Sequence, residues 1–184
     1  MDAFFNYPIH TWTFPDEHER RAKLPAYFEM LVRYGLLYGD VQAVSPSCDG
    51  FAIYLLPGTG EMNAWRWIRA GYLKQSRVYG KAARRRDAAA TANMQDIETK
   101  NAPGPHAFLM LLAVDPRAQG NGYATALVKG MLGRLAAARL GCYLETHDLA
   151  NEAFYNRLGF ATTGKYPVPG TPLTLVSLVW EPVH

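Results

Sequence analysis

A nine-residue run that is almost wholly apolar, HAFLMLLAV at 106–114, constrains the fold more than any other feature. It is too short for a membrane span and long for an average strand, so it predicts a central strand buried on both faces. The turn DPRAQGNG and an Ala- and Leu-rich helical stretch, 123–140, follow it directly. This order predicts a mixed α/β layer, not an all-helical or all-β domain.

The other segments fit the same layered arrangement. Residues 17–38 predict a helix whose regular part starts at Pro25, and 63–100 predict two helices broken near Gly71 or Gly80. A length of 184 residues suits one domain, 1–184, with a helical insert at about 61–104 and a functional core at 106–160. The further predicted strands are 41–44, 51–56, 142–146, 160–163 and 173–180, with a short helix at 151–158.

The turn that follows the apolar run has the features of an anion site. Its sequence is Gln119-Gly120-Asn121-Gly122-Tyr123-Ala124. Glycines allow close backbone approach to a phosphate, and the free N–H groups of a helix's first turn point at it. No Lys-Ser or Lys-Thr follows, which excludes a Walker loop, and the glycine count does not fit a dinucleotide fingerprint. Taken alone, such a turn also serves simply to join a strand to a helix.

Two ordered motifs make the sequence resemble a known family. LLAVDPRAQGNGYATAL resembles the acetyl-CoA signature of the GCN5-related N-acetyltransferase superfamily, and YLETHDLANEAFYNRLGF resembles its second, strand–Asn–helix–Tyr element. The first match is carried by Val114, Pro116, Gln119, Gly122 and Ala124, and the second by Asn151, Tyr155, Gly159 and Phe160. The two motifs together are far more specific than either one.

The resemblance implies a fold and a reaction. The fold is the acyl-CoA N-acyltransferase fold, a splayed mixed sheet flanked by helices. The reaction is transfer of an acetyl group from acetyl-CoA to a primary amine of a small molecule or peptide by direct attack, with no metal. The alternative is a non-catalytic acyl-CoA-binding or regulatory module of the same fold.

The flanking sequence is similar to the puromycin N-acetyltransferase-like branch. The features are the segment 14–39, a Pro57-Gly58 after the hairpin, a helical insert, and His106 opening the next strand. Members normally begin with a strand about 20 residues before the part resembling 2–5. We therefore expect either a start further upstream or a sheet that lacks its first strand, with an open edge.

The resemblance also assigns cofactor-binding residues. The backbones of Leu112, Ala113 and Val114 would pair with the pantetheine arm as another strand does. Asn151 would bind a pantetheine amide, or it caps a helix, or both. The pyrophosphate would be held by the N–H groups of Gln119, Gly120, Asn121, Gly122, Tyr123, Ala124 and Thr125.

The catalytic assignments are less complete. Tyr155, which also contributes to the cofactor site, is the expected general acid for the leaving thiolate, with core packing as its other interpretation. Some relatives use a Glu in the strand equivalent to 106–114, but this strand contains no acid. His106 and Glu145 are the two candidates for the base. The third possibility is that neither of them serves as the base. Strand alternation places His106 on one face with Phe108, Met110, Leu112 and Val114.

Composition limits the partners. The net charge of +3 is weak for nucleic-acid binding, and the basic run KAARRRDAAA is more typical of a solvated helix face. The aromatic residues of the insert, Trp65, Trp67, Tyr72 and Tyr79, either line the acceptor pocket or pack the helices. We expect no membrane partner, a cytoplasmic location, and a monomer or homodimer.

Overall fold

The computed structural model describes residues 2–59 and 62–182, which form six strands and seven α-helices. The strands are β1 (Asp40–Ala43), β2 (Gly50–Leu55), β3 (His106–Val114), β4 (Gly141–Thr146), β5 (Ala161–Pro167) and β6 (Thr174–Trp180). The helices are α1 (Pro8–Thr13), α2 (Glu17–Tyr38), α3 (Ala64–Ala70), α4 (Tyr72–Thr91), α5 (Met94–Asn101), α6 (Tyr123–Ala137) and α7 (Ala150–Arg157).

The six strands form one mixed sheet in the order β1-β2-β3-β4-β6-β5. The β3–β4 pair is parallel and the other neighbours are antiparallel. β3 and β4 are paired only from His106–Phe108 to Gly141–Tyr143, and beyond this point they separate. The predicted fold class, a splayed mixed sheet flanked by helices, is confirmed. Residues 2–39 contain no strand, so β1 forms one edge of the sheet.

A β-bulge interrupts β3. Tyr54 pairs with Leu109 and Ile53 pairs with Leu111, so Met110 has no partner in β2. The extra residue reverses the alternation of side chains after it. The prediction that His106 shares a face with Leu112 is therefore wrong, because Leu112 packs with the cluster on the opposite side of the sheet.

The two faces of the sheet are covered by different helices. α6 buries Leu127, Val128 and Met131 against one face, together with Tyr155 of α7. On the other face, α2 packs Leu31 and Tyr34 against Ile53 and Leu111. β3 is a central strand with helices on both faces, as predicted; Ala107, Leu109 and Leu111 are buried, but its other six residues are half-buried, so its burial is not complete.

Two helix boundaries differ from the sequence prediction. α2 runs without interruption from Glu17 through Pro25, with Asp16 capping its N-terminus by accepting a hydrogen bond from the Glu19 N–H (2.7 Å). α6 ends at Ala137, and Arg139, which has a left-handed φ of 54°, reverses the chain. Gly141, which lies between the predicted helix 123–140 and the predicted strand 142–146, is the first residue of β4.

The insert between β2 and β3 contains three helices, where the sequence predicts two. Gly71 (φ 114°) separates α3 from α4, and Gly80 (φ 73°) kinks α4, so both predicted breaks are present. Ala92 and Asn93 separate α4 from α5. The conformations at the two breaks fit glycine, which has no Cβ to clash at positive φ.

Candidate active site

A cleft opens where β3 and β4 separate. On one side of β3, Ala113 pairs with Phe51 and Val114 with Gly50, whereas the side toward β4 is unpaired beyond Phe108. An unpaired strand edge offers N–H and C=O groups to an extended ligand that carries amides. The three residues predicted to bind pantetheine, Leu112–Val114, lie on this edge.

The loop after β3 presents a row of free backbone donors. Within the described chain, no N–H group from Gln119 to Thr125 donates a hydrogen bond, and the first bond of α6 runs from Ala126 to Gly122. Gly120 and Gly122 have φ of 84° and 76°, and a Cβ at either would meet no heavy atom within 4 Å. No side chain caps the N-terminus of α6. This geometry can hold an anionic group such as a pyrophosphate.

Asn151 lies at the start of α7, on the β4 side of the cleft. Its amide N–H donates to Thr146 Oγ1 (3.2 Å). Asn151 lies inside α7, after its first residue Ala150, whose N–H donates to the Asp148 carboxylate (3.0 Å). Helix capping therefore does not account for Asn151, and its side-chain oxygen has no partner among the described residues.

Tyr155 projects from α7 into the same cleft. Its side chain is 9% exposed, and its ring packs edge-on against Phe154 and Phe160. The side chain lines the cavity, and its hydroxyl has no hydrogen-bond partner within residues 2–59 and 62–182. Burial raises the pKa of this phenol above its ordinary value of 10, so it stays protonated at neutral pH.

Glu145 lines the cavity from β4. Tyr143 Oη donates to Glu145 Oε1 over 2.6 Å. Burial is the main cause that raises the pKa of this carboxyl to about 8; the Tyr143 hydrogen bond opposes the shift and nearby Glu98 adds to it. A carboxyl of this kind exchanges protons near neutral pH, as a general base requires.

His106 lies outside the cavity that contains Tyr155 and Glu145. Its Nδ1 is 2.8 Å from the Gly104 carbonyl and its Nε2 is 3.1 Å from Glu98 Oε1. The hydrogen bond with Glu98 is the main cause that raises the pKa of the imidazole. Both ring nitrogens are engaged, and the ring borders a separate cavity of about 240 Å³ beyond Phe108.

Residues that the sequence did not single out form a further part of the cleft wall. They are aromatic and imidazole rings from the first 28 residues, and they line the same cavity of about 160 Å³ as Glu145 and Tyr155. The rings belong to Phe4, Tyr7, His10, Tyr27 and Phe28.

A hydrogen-bond network attaches this wall to the end of β4. Tyr7 Oη lies 2.8 Å from Thr146 Oγ1 and accepts from the His147 N–H, also over 2.8 Å. His147 follows Tyr143 and Glu145 at a spacing of two residues, so strand alternation places it on their face. This spacing is the signal in the sequence that could have identified His147 as a residue of the cleft.

Two histidines of the cleft are buried and neutral. His10 is 6% exposed and His147 is 7% exposed. Burial is the main cause that lowers the pKa of each imidazole to about 4, and the nearby His147 ring lowers the pKa of His10 further. The two rings therefore add no positive charge to the cleft at neutral pH.

The aromatic residues of the insert do not line this cavity. Trp65 and Tyr72 are exposed, at 67% and 44%. Trp67 packs on Tyr34 (4.2 Å between ring centroids), and Tyr79 packs edge-on against Phe14. Of the two interpretations, helix packing describes Trp67 and Tyr79. Within the described residues, no helix combines the length and hydropathy that crossing a membrane requires.

Comparison with known proteins identifies the family. Two solved structures share the fold over nearly the whole chain. One, described as histone acetyltransferase HPA2 and related acetyltransferase from Corynebacterium glutamicum, has a TM-score of 0.58 and 18% identity, covering 100% of this chain and 94% of that one. The other, arylalkylamine N-acetyltransferase 2 from Aedes aegypti, has a TM-score of 0.54 and 13% identity, covering 97% and 88%.

At these identities the likeness to solved structures establishes the fold. The family follows from a match over more than half of the sequence, since residues 57–160 fit the model of the acetyltransferase (GNAT) family. The description of this family, acetyltransferase, names acetyl transfer as its reaction. The chain belongs to the GNAT acetyltransferase family.

Proposed function

We propose that the protein transfers an acetyl group from acetyl-CoA to a primary amine by direct attack, with Glu145 as general base and Tyr155 as general acid. The observation that carries this proposal is the position of the two groups. A carboxyl with a pKa of about 8 and a protonated phenol without a hydrogen-bond partner among the described residues line one cavity, at the point where β3 and β4 separate.

The donor would lie along the unpaired edge of β3. Its pyrophosphate would receive hydrogen bonds from the N–H groups of 119–125, and its amides would pair with Leu112–Val114 and the side chain of Asn151. The bulge at Met110 leaves a residue without a partner in β2. We propose that its backbone N–H stabilises the negative charge that develops on the thioester oxygen.

Glu145 and Tyr155 together account for the proton transfers that accompany the exchange of bonds. The amine nitrogen attacks the thioester carbon, the C–N bond forms and the C–S bond breaks. Glu145 takes the proton that the nitrogen loses, and the sulfur leaves as a thiolate that accepts a hydrogen bond and a proton from Tyr155. Because burial raises the pKa of Tyr155, full proton transfer is less favourable than from a free phenol. The hydrogen bond from Tyr155 to the developing thiolate would therefore form first, and the transfer of the proton to the sulfur would follow it.

His106 is the weaker candidate for the base. Its raised pKa favours the protonated form, and both of its ring nitrogens already have partners. A His106→Gln variant should therefore keep most of its kcat, whereas Glu145→Gln should not. The opposite result would transfer the role of base to His106.

We also propose placement in the puromycin N-acetyltransferase-like branch. The proposal is supported by Pro57-Gly58 after β2, by three helices before β3, and by the sequence Leu144-Glu145-Thr146 before Asn151. A tree built from sequences of the whole superfamily tests it, and grouping outside that branch would contradict it.

The direct experiment for the proposed reaction is thiol release from acetyl-CoA over a panel of primary amines. Tyr155→Phe should lower kcat by about 10- to 100-fold, because the lost donor no longer stabilises the thiolate. Titration calorimetry with CoA should give nearly the same Kd for variant and wild type. Unchanged kcat would remove Tyr155 from the mechanism. Tight CoA binding without turnover of any amine would favour the non-catalytic module.

A further inference from the structure

We infer that the acceptor is a small primary monoamine whose body is a single aromatic ring and which carries no second charged group. This inference rests on the proposed acetyl transfer and names its acceptor class. It is drawn from the part of the cavity wall that the first 28 residues contribute, the ring wall: Phe4, Tyr7, His10, Tyr27 and Phe28.

The ring wall is a preassembled aromatic surface. Phe4 stacks on Phe28 with centroids 5.3 Å apart, and His10 meets the edge of both Tyr27 and Phe28 at 5.4 Å. Tyr27 and Phe28 are edge-to-face at 5.4 Å. Rings held by other rings keep their orientation, so a ligand ring gains contacts without having to order the wall.

At pH 8, where Glu145 is about half ionised, the cavity offers a partner for at most one cation and for no anion. Of the described residues that line it, Glu145 is the one carboxyl, and none is Lys or Arg. His10 and His147, with pKa values of about 4, are neutral at pH 7. Asp87 influences Tyr27 electrostatically but does not line the cavity, and Glu98 is bonded to His106.

The charges of the lining residues disfavour amines that carry a second charged group. A second ammonium group would enter a cavity whose one carboxyl serves the reacting amine, and a carboxylate would meet no cation among the described lining residues. Burying an unpaired charge in such a place is strongly unfavourable. Polyamines, aminoglycosides and free amino acids are therefore disfavoured by the same observation.

The dimensions fit one ring. The cavity measures about 160 Å³, and Leu112, Asn151 and Tyr155 of the proposed donor site also line it. Since about 150 Å³ already suits one benzene molecule, one ring is the upper limit for an acceptor beside the donor. The ring wall and Glu145 both line this one cavity. An amine joined to an aromatic ring by a short linker can therefore reach the carboxyl while its ring contacts Phe28.

Two matched pairs of amines test the acceptor class. Phenylalanine differs from phenethylamine by one carboxylate, and 1,4-diaminobutane differs from n-butylamine by one amine. We expect phenethylamine to exceed n-butylamine by about tenfold in kcat/KM, and each uncharged-body amine to exceed its charged counterpart by about 100-fold. Equal rates within either pair, or a preference for the charged member, would overturn the inference.

Variants test which residues set the preference. Phe28→Leu should lower the kcat/KM ratio between phenethylamine and n-butylamine by about 2- to 10-fold, through loss of the aromatic contact. This ratio does not depend on the fraction of folded protein. Leu36→Ala, on the same helix but 68% exposed and outside the cavity, is the control and should leave the ratio unchanged. A ratio unaffected by Phe28→Leu would contradict the assignment.

A gain of function provides the converse test. Thr91 lines the cavity and is exposed, so a carboxylate at this position is compatible with folding. Thr91→Glu should acetylate 1,4-diaminobutane with a kcat/KM at least about tenfold above wild type. No gain would count against the charge argument.

The outcomes separate the two proposals. If acetyl-CoA binds by calorimetry but no amine of the panel is acetylated, the proposed reaction is wrong and this inference is wrong with it. If 1,4-diaminobutane or phenylalanine is the preferred acceptor, the proposed reaction stands and the inferred acceptor class is wrong.

Discussion

The two sides of the cleft differ in how widely their residues are spread along the sequence. The donor side consists of one contiguous segment, the end of β3, the loop 119–122 and the start of α6, with Asn151 nearby. The acceptor side brings the ring wall of the first 28 residues against the end of β4 and against Thr91 and Met94 of the insert. Backbone groups do most of the proposed binding on the donor side, and side chains on the acceptor side.

This difference determines what each side can tolerate. Backbone donors depend on loop conformation, so the donor side is sensitive to glycine replacement and indifferent to most side chains. The acceptor side holds three titratable groups whose pKa values are shifted mainly by loss of solvent: half-buried Glu145 and buried His10 and His147. On the donor side, Asp115 and Arg117 lie at the surface and are bonded to each other (2.8 Å); this hydrogen bond lowers the pKa of the carboxyl and raises the pKa of the guanidinium.

The largest expected effect is on the acceptor side. Glu145→Gln keeps the shape of the side chain but cannot take a proton, so kcat should fall by about 10²- to 10⁴-fold at pH 8. Stopped assays of acetylated amine measure it. The Kd for CoA should stay within about twofold of wild type, since Glu145 is not part of the donor side. A kcat near the wild-type value would contradict the assignment of the base.

Glycine replacement should affect the donor side alone. Gly122 has φ of 76° at the start of α6, and a Cβ there is strained and faces the open space proposed for the phosphates. Gly122→Ala should weaken CoA binding by about tenfold, because left-handed backbone costs other residues ~1–2 kcal/mol. Calorimetry measures this Kd. The ratio of kcat/KM values between two amines should not change, and a changed ratio would show that the two sides are coupled.

The free energy of unfolding should depend on pH through the titratable groups of the acceptor side. The pKa of Glu145 is about 8 in the folded protein, above its unfolded value near 4.3, so its contribution is fully present below pH 4 and is lost as pH rises through 8. The histidines act oppositely: with folded pKa values of about 4, their contribution is present above pH 6.5 and is lost on acidification toward 4.

Urea unfolding of wild type and Glu145→Gln separates these contributions. The free energy of unfolding of wild type minus that of Glu145→Gln should decline by a few kcal/mol between pH 5 and pH 8, since the variant lacks the titrating carboxyl. A difference that is constant over this range would mean that the carboxyl is not buried in its neutral form.

The smallest effect is expected from a helix position outside both sides. Gly133 lies in the interior of α6, is exposed, and a Cβ there meets no heavy atom within 4 Å. Gly133→Ala should raise the free energy of unfolding by about 0.5–1 kcal/mol, because alanine loses less conformational freedom in a helix. Thermal unfolding measures it, and the Kd for CoA should match wild type.

The donor side can be predicted from the sequence because its motif is local. A strand, a loop with Gly120 and Gly122, and a helix occur in order, and each position acts through the backbone next to it. The sequence predicts β3 with its observed bounds for the same reason. It does not predict the bulge, since a uniformly apolar run contains no alternation that could show a shift at Met110.

The acceptor side cannot be predicted in this way. Tyr7 and His147 are 140 residues apart in sequence, and nothing local indicates that the Tyr7 hydroxyl accepts from the His147 N–H. From sequence, the aromatic residues of the insert are as plausible a wall as Phe28, and only packing places Trp65 and Tyr72 at the surface. Glu145 is one of two candidates in the sequence, because its burial and the Tyr143 hydrogen bond depend on tertiary structure.

The pH profile of kcat/KM tests the central claim most directly, measured for wild type and Glu145→Gln with phenethylamine and corrected to the neutral amine. The wild-type profile should rise about tenfold per pH unit and level off near pH 8, where Glu145 loses its proton. The Glu145→Gln profile should be flat and lower throughout. If both proteins show the same rise, Glu145 is not the base and the account of the acceptor side is wrong.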